Sequence, residues 1–463
     1  MQLTWPAKFS TKGCFSVAAF TSLLLTTPSL LSATSLEDSI FMALETNPDV
    51  GVVQADRRAI DQELRQARAL YLPSVDLRAA AGPQYTNSLA TRGRATRAAG
   101  GDASSTLVRM ESQLTLTQML FDGYATTSEV ERQLARTDSA AYRVDETAEF
   151  IALDAIEAHL DVLRNQILID QARENLLAHQ DIMGRVRQGE QQGGGSIADV
   201  RQTEARLAAA GNILATSIGN LRDAKARYVR VTGNQARELE NMPPPLFALP
   251  EGPETAAAKA AMSSPTVRIA KADIDIAKAE LKGSRAAYYP RFDLELGAAA
   301  NRQIDGIVGS DVQAEALLVM RYNLFRGGGD IAREREAFSR VNQSHQSLRK
   351  ARNEAEEQAR LSFNALTTSR SRVETLIAQR RANAATRDAY AEQFDLGRRS
   401  LLDLLDAENE YYLARSGLTT AEFTEWFAVY RVLAVVGDLL QTFEINRPKE
   451  GINIFRDKPQ SEG

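Results

Sequence analysis

Residues 48–77, PDVGVVQADRRAIDQELRQARALYLPSVDL, and residues 265–294, PTVRIAKADIDIAKAELKGSRAAYYPRFDL, are two versions of one segment. They align without gaps at an offset of 217 and share 12 of 30 positions. Both begin as amphipathic helix and end at Tyr71-Leu72-Pro73 or Tyr288-Tyr289-Pro290. Proline drives the preceding residue toward extended backbone, so Pro73 and Pro290 mark a switch from helix to strand. Further on, Leu120-Phe121-Asp122-Gly123 matches Leu324-Phe325-Arg326-Gly327 at an offset of 204. The same offset then joins Gly193 to Gly397, Ser196 to Ser400, Asp199 to Asp403, Glu204 to Glu408 and Gly233 to Gly437. A register held that long requires helices of equal length in both halves, so the chain is a duplication. The two offsets differ by 13 residues, which places extra length in the first copy between Pro73 and Leu120, as a surface loop.

Each half reads as helix, strand, loop, strand, long helix, turn, return helix. The first helix spans about Leu36 to Leu70. Strands are expected near 73–84, 107–121, 290–300 and 311–325. Their side chains alternate: Val75, Leu77, Ala79 and Ala81 oppose Ser74, Asp76 and Arg78, and Phe292, Leu294 and Leu296 oppose Asp293 and Glu295. Such short period-2 segments are the signature of outer-membrane barrel strands, and they also suit a half-buried soluble sheet. Four strands cannot close a barrel, so a barrel would need several chains. The long helices, 123–192 and 328–396, contain no proline. In the first, positions 134, 141, 148, 155, 162, 169, 176 and 183 are all apolar, a strict seven-residue repeat that implies left-handed supercoiling. Gly193-Gly194-Gly195 and Gly397 break the long helices, and return helices follow at 197–231 and 401–441. Gly123 and Gly327 turn strand into helix.

These boundaries divide the chain into an N-terminal segment 1–33, a first repeat 34–242, a proline-rich linker 243–253, a second repeat 254–441 and a polar tail 442–463. In the first segment, Lys8 and Lys12 precede an apolar stretch from Cys14 to about Leu31, with small residues at Ser32-Ala33. That is the pattern of a secretory signal peptide. Its removal takes the net charge from -5 to -7 and removes the single cysteine. No later run of about 18 apolar residues suggests a spanning helix, so a membrane form of the mature chain must cross as a barrel.

Composition narrows the function. The chain has 463 residues, 44% hydrophobic but only 6% aromatic, and 25% charged, with a mean hydropathy of -0.30. Ala and Leu carry the apolar share, which favours long helices over large globular cores. The acidic balance, with a pI of about 5.6, disfavours nucleic-acid binding, and Arg92, Arg94 and Arg97 read as a solvated loop. Three histidines and one cysteine supply neither a metal centre nor a Cys-His nucleophile, and His159 and His179 lie about 30 Å apart on one helix. The glycine runs 193–195 and 327–329 lack the Gly-Lys-Ser/Thr of a phosphate loop and read as turns. No cofactor and no enzymatic constellation is expected.

The duplicated halves, the YLP and YYP switches, LFDG and LFRG, and GRRSLLDLLDAENEY at 397–411 together resemble the TolC-like outer-membrane efflux proteins across about 36–441. The resemblance implies a mainly α protein with a small transmembrane β portion. It implies a homotrimer, with four strands per protomer closing a 12-stranded barrel in outer-membrane lipid above a long periplasmic α-barrel. It implies a passive exit duct that joins a periplasmic adaptor and an inner-membrane pump of RND or ABC type, in drug efflux or type I protein secretion. It places Asp403 and Asp406 as an acidic constriction at the periplasmic entrance. It pairs Arg399 with Asp199 at the gate, and puts Phe394 where the family has an aromatic hydroxyl. A periplasmic coiled-coil adaptor without a pore is the competing reading. Adaptors carry one hairpin between β-rich modules, which the duplicated strand pairs oppose.

Overall fold

The computed structural model describes residues 33–88, 91 and 104–452. The expected signal peptide up to residue 32, the arginines of the first loop and the end of the tail lie outside these residues. The first helix is broken in two: α1 (Leu36–Thr46) and α2 (Pro48–Ala69). Asn47, forced out of the helical region by Pro48, sits at φ -69°, ψ 125°, and its side-chain oxygen accepts from the Asp49 N–H at 2.9 Å. Strands β1 (Ser74–Thr86) and β2 (Ser105–Phe121) lead to the long helix α3 (Ala125–Gln191) and its return α4 (Ile197–Thr232). The second copy repeats this with α5 (Pro253–Ser263), α6 (Pro265–Ser284), β3 (Arg291–Arg302), β4 (Ser310–Arg321), α7 (Gly329–Asp395) and α8 (Leu401–Val436). The last return helix therefore stops short of 441. Gly437, at φ 78°, ends it, and the four-residue α9 (Leu439–Thr442) follows.

In both halves the end of the return helix abuts the break between the two shorter helices. Thr46 Oγ1 donates to the Thr232 carbonyl at 2.9 Å and Asn47 Nδ2 to that of Val231 at 3.2 Å. Ser263 Oγ donates to the Val436 carbonyl at 3.0 Å. The orphan carbonyls at each helix end thus find donors at the kink, and two short helices continue one line beside an unbroken 67-residue helix about 100 Å long.

The strands form one antiparallel sheet in the order β1-β2-β3-β4. The register sets Val75 against Leu116 and Leu77 against Leu114, and Leu294 against Leu318, on one face. Arg78, Gln113, Asp293 and Glu295 lie on the other, where Arg321 reaches both Asp293 and Glu295 at 2.6 Å. One face is a continuous apolar band and the other is charged. Strand β4 ends at Arg321, opposite Arg291, and not near 325: the next partner would be Pro290, which has no N–H to give.

The heptad positions of α3 face inward: Ala141, Ala148, Ala155, Val162, Ile169 and Met183 are buried. Helix α7 differs, being exposed along most of its length. The main core sits at mid-height, where Leu36, Ile40, Ile156, Tyr228, Tyr430 and Leu440 pack together. The proline-rich linker joins that core through Phe247, whose ring stands 5.7 Å from Tyr430 and 5.6 Å from Phe443. The start of the expected polar tail also packs here. Arg447 binds the buried Asp145 of α3 at 3.0 Å. Among the described residues, no helix is long and apolar enough to cross a membrane.

Candidate functional site

Two junctions carry the architecture. At the strand-to-helix turn, Gly123 has φ 68°, and a Cβ there would lie 2.6 Å from the Ala286 carbonyl and 2.8 Å from Tyr289 Cβ. Glycine is required both by conformation and by space. Asp122 then accepts from the N–H and hydroxyl of Thr126 at 2.8 and 2.6 Å, opening α3. Gly327 also has positive φ, 63°, but nothing stands within 4 Å of its missing Cβ. At the helix-to-strand switches, Tyr71 donates to Thr127 at 3.1 Å and Tyr288 to Glu334 at 3.0 Å, so each tyrosine ties its short helix to the long helix of its own half. Pro73 and Pro290 immediately precede the first residues of β1 and β3.

The second junction is the far end, where the two hairpin turns lie side by side. Ser400 caps α8: its hydroxyl accepts from the Asp403 N–H at 3.2 Å and donates to the Asp403 carboxylate at 2.9 Å. Asp403 and Asp406, one turn apart, are both about half exposed. Neither is a free carboxylate within the chain. Arg399 Nη1 stands 3.7 Å from Asp403, and its guanidinium lies 4.1 Å over the Tyr390 ring. Arg206 of α4 donates to Asp406 at 2.7 Å. The expected Arg399–Asp199 pair is not made within the chain. Asp199 instead accepts from the Ser196 N–H at 3.3 Å, closing a capping box on α4. Arg399 and Asp199 each find a partner about one turn away, which costs little chain ordering. Phe394 packs against the apolar cluster of Ile182, Val186, Val200, Leu401, Leu404 and Leu405, which joins the hairpin ends.

Three ion pairs cross between the hairpins: Arg206–Asp406, Arg185–Asp395 at 2.9 Å, and Arg415–Glu174. The Arg415 guanidinium beside Glu174 holds that carboxyl below its ordinary range. Sequence reasoning missed Arg185, Arg206 and Tyr390. The one signal available was that Arg206 lies seven residues after Asp199, on the same face of the return helix. Among the described residues, no group of His, Cys, Asp and Glu has the spacing of a metal site.

A four-stranded sheet with one apolar and one charged face, carried on two helical hairpins about 100 Å long, defines a subunit of an outer-membrane export channel. The family model described as outer membrane efflux protein matches residues 40–234 and 257–423, and the chain belongs to that family. It is 25% identical to the outer membrane efflux protein BepC of Brucella suis, over 96% of each chain. It is also 25% identical to the alkaline protease secretion protein AprF of Pseudomonas aeruginosa, over 85% of this chain and 83% of that one. The CmeC outer membrane channel of Campylobacter jejuni has the same fold, with a TM-score of 0.76 at 14% identity over 90% and 89% of the two chains. The protein is thus an exit duct of the outer membrane with a large periplasmic helical part. The reading as a poreless adaptor is overturned, because the chain carries two hairpins and a sheet with a lipid-compatible face. The family is one of channel proteins.

Proposed function

We propose that three copies of this chain close one tunnel, gated at its periplasmic end, and that it takes cargo from an inner-membrane pump through a periplasmic adaptor. The observation that carries this reading is the sheet. Among the described residues its β1 and β4 edges have no neighbour, and open edges are not tolerated in hydrocarbon. Pairing β4 of one protomer with β1 of the next removes every edge, and three protomers give twelve strands. The exposed length of α7 supplies a second surface for the same contact.

In this assembly Asp403 and Asp406 form a ring of six carboxylates around one axis. Arg206, Arg185 and Arg415 tie the second hairpin to the first and hold the ring narrow. Exposed ion pairs are weak singly, so binding of an adaptor can release all three sets together. A gate of this kind is passive, and energy enters through the pump. BepC is named for efflux and AprF for protease secretion, which supports an export role in efflux, in protein secretion, or in both. Outer-membrane fractionation, a heat-sensitive trimer on gels, and discrete conductance steps in planar bilayers test the assembly. A monomer in the soluble fraction refutes it. A deletion strain scored for drug sensitivity and for loss of secreted proteins tests the cargo.

A further inference from the structure

The two halves are equivalent in structure as well as in sequence. Under the offsets of 217 and 204, the register of β1 on β2 recurs in β3 on β4: Val75↔Leu116 becomes Phe292↔Met320, and Leu77↔Leu114 becomes Leu294↔Leu318. The hydrogen bond at the kink recurs in the same way, from Thr46–Thr232 to Ser263–Val436. Among the described residues one contact occurs only once, the seam at which β2 and α3 of the first half meet β3 and α6 of the second. Its counterpart joins β4 and α7 to β1 and α2. Strands β1 and β4 are the opposite edges of one sheet, so a second copy of the chain has to supply it.

We propose that copies join by repeating this seam in a fixed register, with Leu318 opposite the partner's Ala81 and Lys350 of α7 beside the partner's Asp49. The inference rests on the trimer proposed for the barrel and adds which residues meet. The offsets carry Leu114↔Ala298, Leu116↔Leu296 and Thr115↔Gly297 onto Leu318, Met320 and Val319 opposite the partner's Ala81, the partner's Ala79 and the partner's Ala80. The apolar faces of both strands stay in phase, and a large residue meets a small one at each position. A slip of one residue turns Leu318 and Met320 toward the charged face. Arg321 comes opposite the partner's Arg78, but Asp293 and Glu295 of its own chain already match its charge, each at 2.6 Å.

The helices give an independent observation. Between the halves, Ser139 donates to Asp273 at 2.8 Å and Thr266 donates to Glu146 at 2.6 Å. The same offsets bring Gln343 to the partner's Asp56 and Lys350 to the partner's Asp49, all of them exposed in the single chain. Three of these four residue types differ from their counterparts, yet each pair still sets a donor against a carboxylate. In the second pair donor and acceptor have changed sides together: the acid leaves the long helix and the donor takes its place. Within its own chain Lys350 reaches only Glu354, one turn on, at 3.7 Å. The Lys282–Glu131 pair is not kept, since Arg335 and the partner's Arg65 stand at that level. Attraction between the helices therefore falls at Gln343 and Lys350.

The one cysteine, Cys14, lies in the expected signal peptide, so introduced pairs of cysteines report the contact directly. Leu318→Cys with Ala81→Cys, and Val319→Cys with Ala80→Cys, are oxidised with copper-phenanthroline in outer membranes and run on boiled, non-reducing gels. Opposed Cβ atoms stand about 4.5–5.5 Å apart and diagonal ones about 7–8 Å, and only the former approach disulfide reach. Successive pairs alternate between wide and close geometry, so at least one of the two should give a covalent trimer that reductant dissolves. Leu318→Cys with Ala79→Cys or with Pro83→Cys, a slip of two residues either way, should link at least about fivefold more slowly. Faster linking in a slipped pair, or none in either opposed pair, overturns the register. Unboiled protein that still runs as a trimer then shows that the assembly stands without it, whereas a monomer before boiling overturns both. On the helices, Lys350→Gln and Asp49→Asn should each lower the temperature of trimer dissociation, and the double variant should fall no further than the larger single loss. Losses that add, or no loss, overturn the helical contact.

Discussion

Replacing Arg206 with Ala removes the donor that holds Asp406 at 2.7 Å across the two hairpins. The two side chains are 38% and 50% exposed, so each copy of the tie belongs among surface pairs worth about 0–1 kcal/mol. In a trimer that opens as one unit the three losses add, giving up to about 3 kcal/mol and a shift in the open-to-closed ratio of up to about 150-fold. The variant should therefore show openings far more often in planar bilayers at low salt. Raising the salt to about 1 M shortens the screening length to about 3 Å, and the difference from wild type should shrink. Arg206→Lys, which keeps the charge, should behave nearly as wild type. Arg173→Ala, which breaks a pair confined to one helix, should leave the gate unchanged. Conductance of Arg206→Ala that matches wild type at low salt refutes the view that cross-hairpin ties hold the gate.

Asp403→Ala combined with Asp406→Ala should weaken block of the channel by multivalent cations by about tenfold or more in single-channel recordings, and an unchanged block removes the acidic ring. Arg399→Ser should raise closed-state conductance less than Arg206→Ala, because the Arg399 contacts at Asp403 and Tyr390 lie within the second hairpin and its turn. An effect as large as that of Arg206→Ala contradicts that ranking. Gly123→Ala should lower the temperature of trimer dissociation on gels more than Gly327→Ala: both acquire left-handed strain of about 1–2 kcal/mol, but only the first meets the Ala286 carbonyl. His159 is buried, hydrogen-bonded to Ser39 at 2.8 Å, and burial depresses its pKa to about 4. The unfolded chain therefore binds a proton that the folded chain refuses between about pH 6.5 and 4, and stability falls as pH drops through that window, by about 3 kcal/mol per protomer. In His159→Gln, the melting temperature should lose that part of its acid dependence; an identical pH profile contradicts the assignment.

Much of the fold is legible in the residues because its determinants are local. Pro73 and Pro290 stop helices, Gly123 and Gly327 turn the chain, and the apolar alternation of residues 75–81 fixes which sheet face meets lipid. Each effect acts within a few residues, and the duplication states each of them twice. The break at Asn47-Pro48 was equally local, yet the apolar periodicity on both sides reads as one helix, since a kink that keeps the buried face in phase leaves the pattern intact. The end of β4 was misplaced for another reason: a strand stops where its neighbour stops, and Pro290 lies on the neighbour.

The candidate site divides the same way. Asp403, Asp406 and Arg399 were singled out by the resemblance of one contiguous segment, residues 397–411. The partners Arg206 for Asp406, Arg185 for Asp395 and Glu174 for Arg415 depend on how far one hairpin is displaced along another, and no periodicity within a single helix carries that offset. The same holds for Phe247 of the linker, and for Arg447 of the tail, which reaches Asp145 from 302 residues away. The sequence alone therefore determined the duplication and the helix and strand faces, because short-range sterics and periodicity decide them, while the acidic pair at the hairpin end was singled out by the resemblance carried by residues 397–411. Only the tertiary structure decided which arginines stand beside that pair, Arg206 at Asp406 above all. Those depend on the relative placement of helices remote in the chain, which packing of the whole sets.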